Sequence, residues 1–339
     1  MIRKLLVTGG AGFIGSNFTR YILRKYEDME VIVLDKLTYA GNLDNLKEVE
    51  DNPRYRFVRG DICDAKVVEE VMEGCDCVIN FAAETHVDRS IGDPSSFIMT
   101  DVYGTYVLLE ATRKLNIPKF IQISTDEVYG DARGEPSRED SPLMPQSPYA
   151  ASKAGADRLA YSYYVTYGTP VIITRCSNNY GPNQYPEKMV SLFITNAIDD
   201  QPLPVYGTGE NTRDWIYVLD HVKALDLIMH TDGLEGEVLN IGSGIELSIL
   251  QVADRILKIL GKPRSLIRRV KDRPGHVRRH AVNTEKINSL LGWRAETDFD
   301  TGLKQTIDWY INNRWWWEKI KSGEFKEYYR KMYAELHGE

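Results

Sequence analysis

The chain has 339 residues and a mass of 38.7 kDa, with a formal net charge of -7 and a pI near 5.6. That length holds one large domain or two moderate ones with a full core, and the acidic balance argues against a nucleic-acid surface. No run of about 18 apolar residues and no leader pattern is present, so no membrane partner is expected and the chain reads as cytoplasmic.

Residues 2–8 read as a first strand, and residues 16–25 read as a helix. Between them stand Gly9, Gly12 and Gly15, spaced three apart. A glycine-rich turn between strand and helix lets backbone N–H groups approach a pyrophosphate. A second strand, residues 31–34, ends in Asp35, which lies 20 residues past Gly15. That is the expected place for an acid that holds a ribose 2′-hydroxyl. An anion there repels a 2′-phosphate, so NAD is the expected cofactor rather than NADP.

Residues 55–60 read as a third strand, followed by Asp61 and Ile62 where an adenine would lie. A fourth, residues 77–81, ends in Phe81 and then Ala82 and Ala83, small enough for a cofactor to lie on the backbone. Cys77 opens that run and reads as a small core residue. Cys63, Cys75, Cys77 and Cys176 lack the spacing of a metal site, and no metal is expected. Next come Glu84, Thr85, His86, Asp88, Arg89 and Ser90, a polar cluster that reads as a substrate wall. Residues 94–115 read as one long helix.

A fifth strand, residues 119–124, ends in Thr125, Asp126 and Glu127. In open α/β sheets, ligands bind beyond the carboxyl ends of the strands. Two neighbouring carboxylates repel, which raises one pKa and leaves one acid and one base near neutrality. Taken alone, the triplet reads equally well as a polar turn. Residues 149–167 read as another long helix, with Tyr149 and Lys153 four apart on one face. An ammonium beside a phenol favours the phenolate, so Tyr149 is expected to act as a base well below its free pKa of about 10.

A sixth strand, residues 170–174, leads to Asn178 and Asn179, which suit either a polar ligand or an Asx turn before Gly181 and Pro182. Alternating strands and helices point to an α/β fold, a doubly wound parallel sheet of Rossmann type. The C-terminal half has shorter elements and reads as a smaller mixed α/β substrate domain. The division is expected at residues 1–180 and 181–339, with some elements returning to the first domain. Arg213 and Arg273 are placed to grip a diphosphate bidentately. Residues 248–260 read as an amphipathic helix with Ser248 as N-cap. Trp315, Trp316 and Trp317 read as packing of a helical tail onto the body.

These residues together resemble the extended short-chain dehydrogenase/reductases that act on nucleotide sugars, and within them the dTDP-glucose 4,6-dehydratase family. The resemblance runs from the first strand to the aromatic tail. Its specific signals are Gly9 to Gly15, the run from Asp35 to Asn42, the 84–90 cluster, Thr125-Asp126-Glu127, Tyr149 with Lys153, and Asp272 to His276. The sequence departs from the pattern at four places: Thr85 replaces a Ser, Val277 an Asp, His280 a Tyr and Ser248 a polar amide.

The resemblance implies a three-stage reaction on dTDP-glucose. Tyr149, helped by Lys153 and Thr125, takes the C4 hydroxyl proton while hydride passes to NAD. Glu127 then removes the C5 proton, Asp126 protonates the departing C6 hydroxyl, and hydride returns to C6. It further implies cofactor contacts at Gly9, Gly12, Phe13, Ile14 and Gly15, then Asp35, Lys36, Leu37 and Thr38, then Asp61, Ile62, Phe81, Ala82 and Ala83. Thr100, Tyr149, Lys153 and Asn179 complete that set. Substrate contacts are implied at Thr85, His86, Thr125, Asn178, Lys188 and Met189. Further ones follow at Pro204, Tyr206, Arg213, Ser248, Arg273 and His276. A homodimer through the two long helices is also implied. A non-catalytic NAD-sensing protein would be marked by loss of Tyr149 or Lys153, and both are present.

Overall fold

The computed structural model describes residues 2–333. Six strands, each within two residues of its expected position, lie side by side in parallel. They are β1 (Lys4–Thr8), β2 (Glu30–Asp35), β3 (Tyr55–Arg59), β4 (Cys77–Asn80), β5 (Phe120–Thr125) and β6 (Val171–Cys176). Their order across the sheet is β6-β5-β4-β1-β2-β3, so the winding reverses between β1 and β4. Ligand crevices form at such a reversal, at the carboxyl ends of the strands. All residues of β4, β5 and β6 are buried, as parallel strands covered on both faces require.

Both faces carry helices. Phe13–Lys25 and Val218–His230 cover one, with Phe18, Ile22, Leu225 and Met229 in its core. Ala65–Met72, Thr105–Lys114 and Pro148–Tyr167 cover the other, around Val68, Leu108, Phe120 and Ala160. The helix expected over residues 94–115 is present but not uniform. Pro94–Phe97 and Thr105–Lys114 are α-helical, and Ile98–Gly104 between them is a π-helix. Such widened turns cluster at functional sites and leave no mark in hydrophobic periodicity.

The chain then builds a second body. It contains β7 (Asn178–Tyr180), β8 (Leu203–Tyr206) and β9 (Thr212–Tyr217). Next, β10 (Val238–Ile241) goes back to the first sheet and pairs in parallel with β6 as its seventh strand. The strands β11 (Glu246–Ser248), β12 (Ile267–Val270) and β13 (Arg279–His280) belong to the second body again. There β9 lies between β11 and β13 and also pairs with β7, while β8 pairs with β12. Its core gathers Phe193, Trp215, Ile256, Leu303, Trp316 and Trp317. Of the three consecutive tryptophans, Trp316 and Trp317 are buried and Trp315 is half exposed. Trp316 Nε1 donates to Asn45 Oδ1 at 2.9 Å, and Asn45 Nδ2 donates to Ala11 O at 2.8 Å. The tail is therefore tied to the glycine-rich turn at the far end of the sequence.

Candidate functional site

Gly9 sits at φ 66°, a left-handed conformation that favours glycine. A Cβ there would stand 2.6 Å from Ala82 N, and one at Gly15 would stand 2.5 Å from Gly9 O. The turn can therefore pack against the end of β4 only without side chains. Gly12 begins the Phe13–Lys25 helix with no side-chain cap, so first-turn N–H groups are left for an anion. Asp35, at the end of β2, accepts from Ala11 N at 2.9 Å and Leu37 N at 2.8 Å. Each carboxylate oxygen keeps a further lone pair for a ribose hydroxyl. Burial holds this carboxyl above its ordinary range, partly offset by those two N–H groups. A backbone-lined turn, a bare helix start and an acid on the next strand fit an NAD molecule.

A cleft of about 280 Å³ runs along these strand ends. Gly9, Gly12, Phe13, Ile14 and Gly15 line it, with Asp35, Lys36 and Thr38 beside them. Asp61, Ile62, Phe81, Ala82 and Ala83 form the next stretch of wall, and Thr100 and Asn179 lie further along. Lys36 Nζ and Asp61 Oδ2 are 2.6 Å apart, so these two wall residues hold one another. Leu37 is not on the wall. It adopts φ 58° and shapes the turn through its bond to Asp35.

The other end of the cleft carries Thr125, Asp126, Glu127, Tyr149 and Lys153. Thr125 caps a short 3-10 turn, Asp126–Tyr129, accepting from Glu127 N at 3.3 Å. Its hydroxyl donates to Asp126 Oδ1 at 3.2 Å. Asp126 is 3% exposed and its Oδ2 is buried without a partner. Burial first, then the charge of Glu127, push its carboxyl well above the ordinary range. Asp126 is thus a carboxyl whose acid form the site favours.

Tyr149 and Lys153 rise from the first turns of Pro148–Tyr167, which Ser147 caps by accepting from Ala150 N at 3.1 Å. The expected lowering of the Tyr149 phenol does not occur in the protein alone. Burial, with the charges of Glu127 and Asp101, pushes it well above its ordinary value. Lys153 Nζ donates to Ile123 O at 2.6 Å, and burial lowers its own pKa. Loss of solvent and the two carboxylates outweigh the ammonium at this phenol.

The substrate residues scatter. Thr85, Thr125, Asn178 and Lys188 line the main cleft, and Lys188 Nζ donates to Thr85 Oγ1 at 2.9 Å. Arg213 and Arg273 instead line a smaller cavity of about 10 Å³. Both are engaged: Arg213 Nη2 donates to Val277 O at 3.0 Å, and Arg273 Nη1 to Asp88 Oδ1 at 3.2 Å. Six others line neither space. His86 is buried at φ 80°, with Nδ1 3.4 Å from Tyr328 Oη. Tyr206 donates to Asp88 Oδ2 at 3.2 Å, and His276 Nδ1 lies 2.7 Å from Asp272 Oδ1. Met189 begins a helix and Pro204 sits within β8. Ser248 is spent on a capping box, accepting from Gln251 N at 3.1 Å.

Some site groups carried no sequence signal. Ser177 lines the cleft from between β6 and β7, and Gln184 and Tyr185 line it from the loop after β7. Asp101, in the π-helical stretch, is buried and accepts from Ser152 Oγ at 2.6 Å and Glu84 N at 2.9 Å. Burial pushes its carboxyl up to about 6. Only a view of the widened turn against Lys153 would have found it.

A family model described as GDP-mannose 4,6 dehydratase matches residues 6–306. The chain is 50% identical over 323 residues to a dTDP-glucose 4,6-dehydratase of Streptomyces niveus, spanning 94% of this chain and 96% of that one. It is 49% identical over 309 residues to the low-salt glycan biosynthesis protein Agl12 of Haloferax volcanii, spanning 91% and 99%. A crystal structure of a Streptomyces venezuelae dTDP-glucose 4,6-dehydratase with NAD bound superimposes with a TM-score of 0.92 at 48% identity, covering 94% of this chain and 100% of that one.

Proposed function

The chain belongs to the dTDP-glucose 4,6-dehydratase family, and from that premise we propose that it converts dTDP-glucose to dTDP-4-keto-6-deoxyglucose and water. The observation that carries the reading is Asp126, a buried carboxyl with an unpartnered Oδ2 next to Glu127, on the cleft that Tyr149 and Lys153 also line. A simple 4-epimerisation has no use for such an acid–base pair.

Tyr149 takes the proton of the C4 hydroxyl, with Lys153 supplying positive charge beside it. NAD, when bound, brings a cationic nicotinamide into the cleft, accepts hydride from C4 and returns it to C6. The residues from Gly9 to Gly15 hold its pyrophosphate, and Asp35 holds a ribose. The 4-ketone acidifies C5, where Glu127 removes the proton. Asp126 gives its proton to the departing C6 hydroxyl. Each such group contributes about 10²–10⁴-fold. Thr85, Asn178 and Lys188 contact the sugar, and Arg213 and Arg273 receive the diphosphate.

Residues 1–180 serve as the cofactor domain and 181–339 as the substrate domain, with β10 returned to the first. The working unit is a homodimer through the two long helices. Its support is an exposed apolar face: Met99, Tyr103, Tyr106, Tyr164 and Val165 are all more than a third exposed. Four unpaired cysteines suit a cytoplasmic setting.

The test is incubation with dTDP-, UDP-, CDP- and GDP-glucose, reading the alkali-induced absorbance of a 4-keto-6-deoxy sugar. dTDP-glucose should give the strongest signal. No signal from any of the four, or a C4 epimer as product, overturns the reading.

A further inference from the structure

His280 has no part in the reaction just described, yet its surroundings are those of a ligand contact. It ends β13, which pairs with β9 in parallel so that His280 lies directly beside Arg213. The side chain is 3% exposed, and neither Nδ1 nor Nε2 has a hydrogen-bond partner among the described residues. A neutral imidazole carries one donor and one acceptor, and leaving both unmet in the interior is costly. A second orphan stands at the same place. Arg273 Nε is also buried without a partner.

His280, Arg213 and Arg273 line the small cavity together with Glu127 and Ser147. Its volume of about 10 Å³ has room for about one water-sized group as it stands. Glu127 lines the main cleft as well, so the two spaces meet at that side chain. The cavity wall is cation-rich, with Arg213 and Arg273 beside His280. The groups facing His280 come from four elements: Arg213 on β9, Arg273 and His276 on the loop before β13, Glu127 on the turn after β5, and Ser147 at a helix start. Burial first, and then Arg213, Arg273 and His276, hold the imidazole well below its ordinary pKa, so it is neutral in the free protein.

We propose that His280 is the proton acceptor of substrate binding: a diphosphate entering between Arg213 and Arg273 makes His280 take one proton from solvent, and the imidazolium then donates to a phosphate oxygen. This rests on the reading that those two arginines receive the diphosphate. The cations that add to burial in keeping His280 neutral are answered by the incoming anion. A unit charge about 4 Å away, at the effective dielectric of a protein site, changes a proton affinity by about a thousandfold. A neutral side chain costs less to bury while the site is open, and a third cation appears only when the anion is there to hold it.

The experiment is calorimetry on the NAD-loaded full-length protein near pH 7, titrated with a phenyl ester of dTDP. Its diester phosphates do not titrate near neutrality, so any proton taken up belongs to the protein. Heats are compared in PIPES and in Tris, whose ionisation enthalpies differ. The unaltered protein should take up close to one proton per ligand. His280→Gln keeps a polar side chain but cannot be charged; it should abolish the uptake while weakening affinity only about threefold to tenfold. His276→Gln should leave the uptake in place. Uptake that persists in His280→Gln, uptake that disappears in His276→Gln instead, or none in the unaltered protein overturns the proposal. Arg213→Gln reports separately on the diphosphate reading: that reading fails if the ligand binds this variant as tightly as the unaltered protein.

Discussion

The two ends of the cleft are built by different means. On the cofactor side, every residue expected from the sequence except Leu37 lies on the wall. On the substrate side, four of the expected residues line the cleft, two line the small cavity, and six line neither. Most of the cofactor wall follows successive strand ends in one parallel sheet, with Thr100, Tyr149 and Lys153 added from helices. Where a strand stops, its next residues are on the wall, and strand ends are written in local pattern. The substrate side is made of loops held by long-range pairings, β8 with β12 and β9 with β13. No short stretch of sequence encodes where such a loop passes.

The sharpest way to break this comparison is at the shared catalytic end. Tyr149→Phe should abolish the first proton transfer, lowering turnover by about 10⁴-fold at the upper limit for such a group, while NAD still binds. Asp126→Asn should act later. Oxidation at C4 still proceeds, so absorbance of the reduced cofactor should accumulate while 4-keto-6-deoxy product falls by about 10²–10³-fold. Rapid mixing with dTDP-glucose distinguishes the two. Near-normal product formation by either variant removes that residue from the scheme.

Asp101 tests the cofactor side where the sequence was silent. Its carboxyl is raised to about 6, so the folded state holds a proton that the unfolded state, at its usual value near 4, has already lost. Stability therefore falls as pH rises through that window, by up to about 3 kcal/mol. Asp101→Asn carries no charge and keeps its oxygen as acceptor for Glu84 N, while its amide NH2 donates to Ser152 Oγ instead of accepting from it. Its urea midpoint relative to the unaltered protein should climb between about pH 4 and about pH 7. Parallel midpoints would show that Asp101 does not titrate as described.

Asp35→Ala should weaken NAD by about tenfold or more, and narrow the preference over NADP. Comparable affinities of the unaltered protein for both cofactors would contradict the role given to this acid. The smallest effect is expected at Ser248, on the substrate side. Its hydroxyl serves the capping box, so Ser248→Ala should cost about 1 kcal/mol of stability and leave KM for the sugar nucleotide unchanged. A raised KM with unchanged stability would return Ser248 to the binding site.

The limits of legibility follow the same division. The strand run Phe120–Thr125 and the acids after it could be read because apolar pattern and sheet topology point to one edge. The π-helical stretch could not, since the residues of Ile98–Gly104 do not tell a widened turn from an α-helical one. The strand Val238–Ile241 is a plain apolar segment, and nothing in it says that it crosses back to β6. Trp316 was legible as a packing residue, but its partner Asn45 lies 271 positions away. The Tyr149 phenol was misjudged because its pKa depends on Glu127 and Asp101, which only the folded chain brings to it.

The central claim is that one cleft oxidises C4, eliminates water across C5 and C6, and returns the same hydride. Turnover of dTDP-glucose carrying deuterium at C4 tests it most directly. The account predicts that the deuterium appears in the C6 methyl group of dTDP-4-keto-6-deoxyglucose. Deuterium retained at C4 of an epimerised sugar, or lost to the medium, would contradict it.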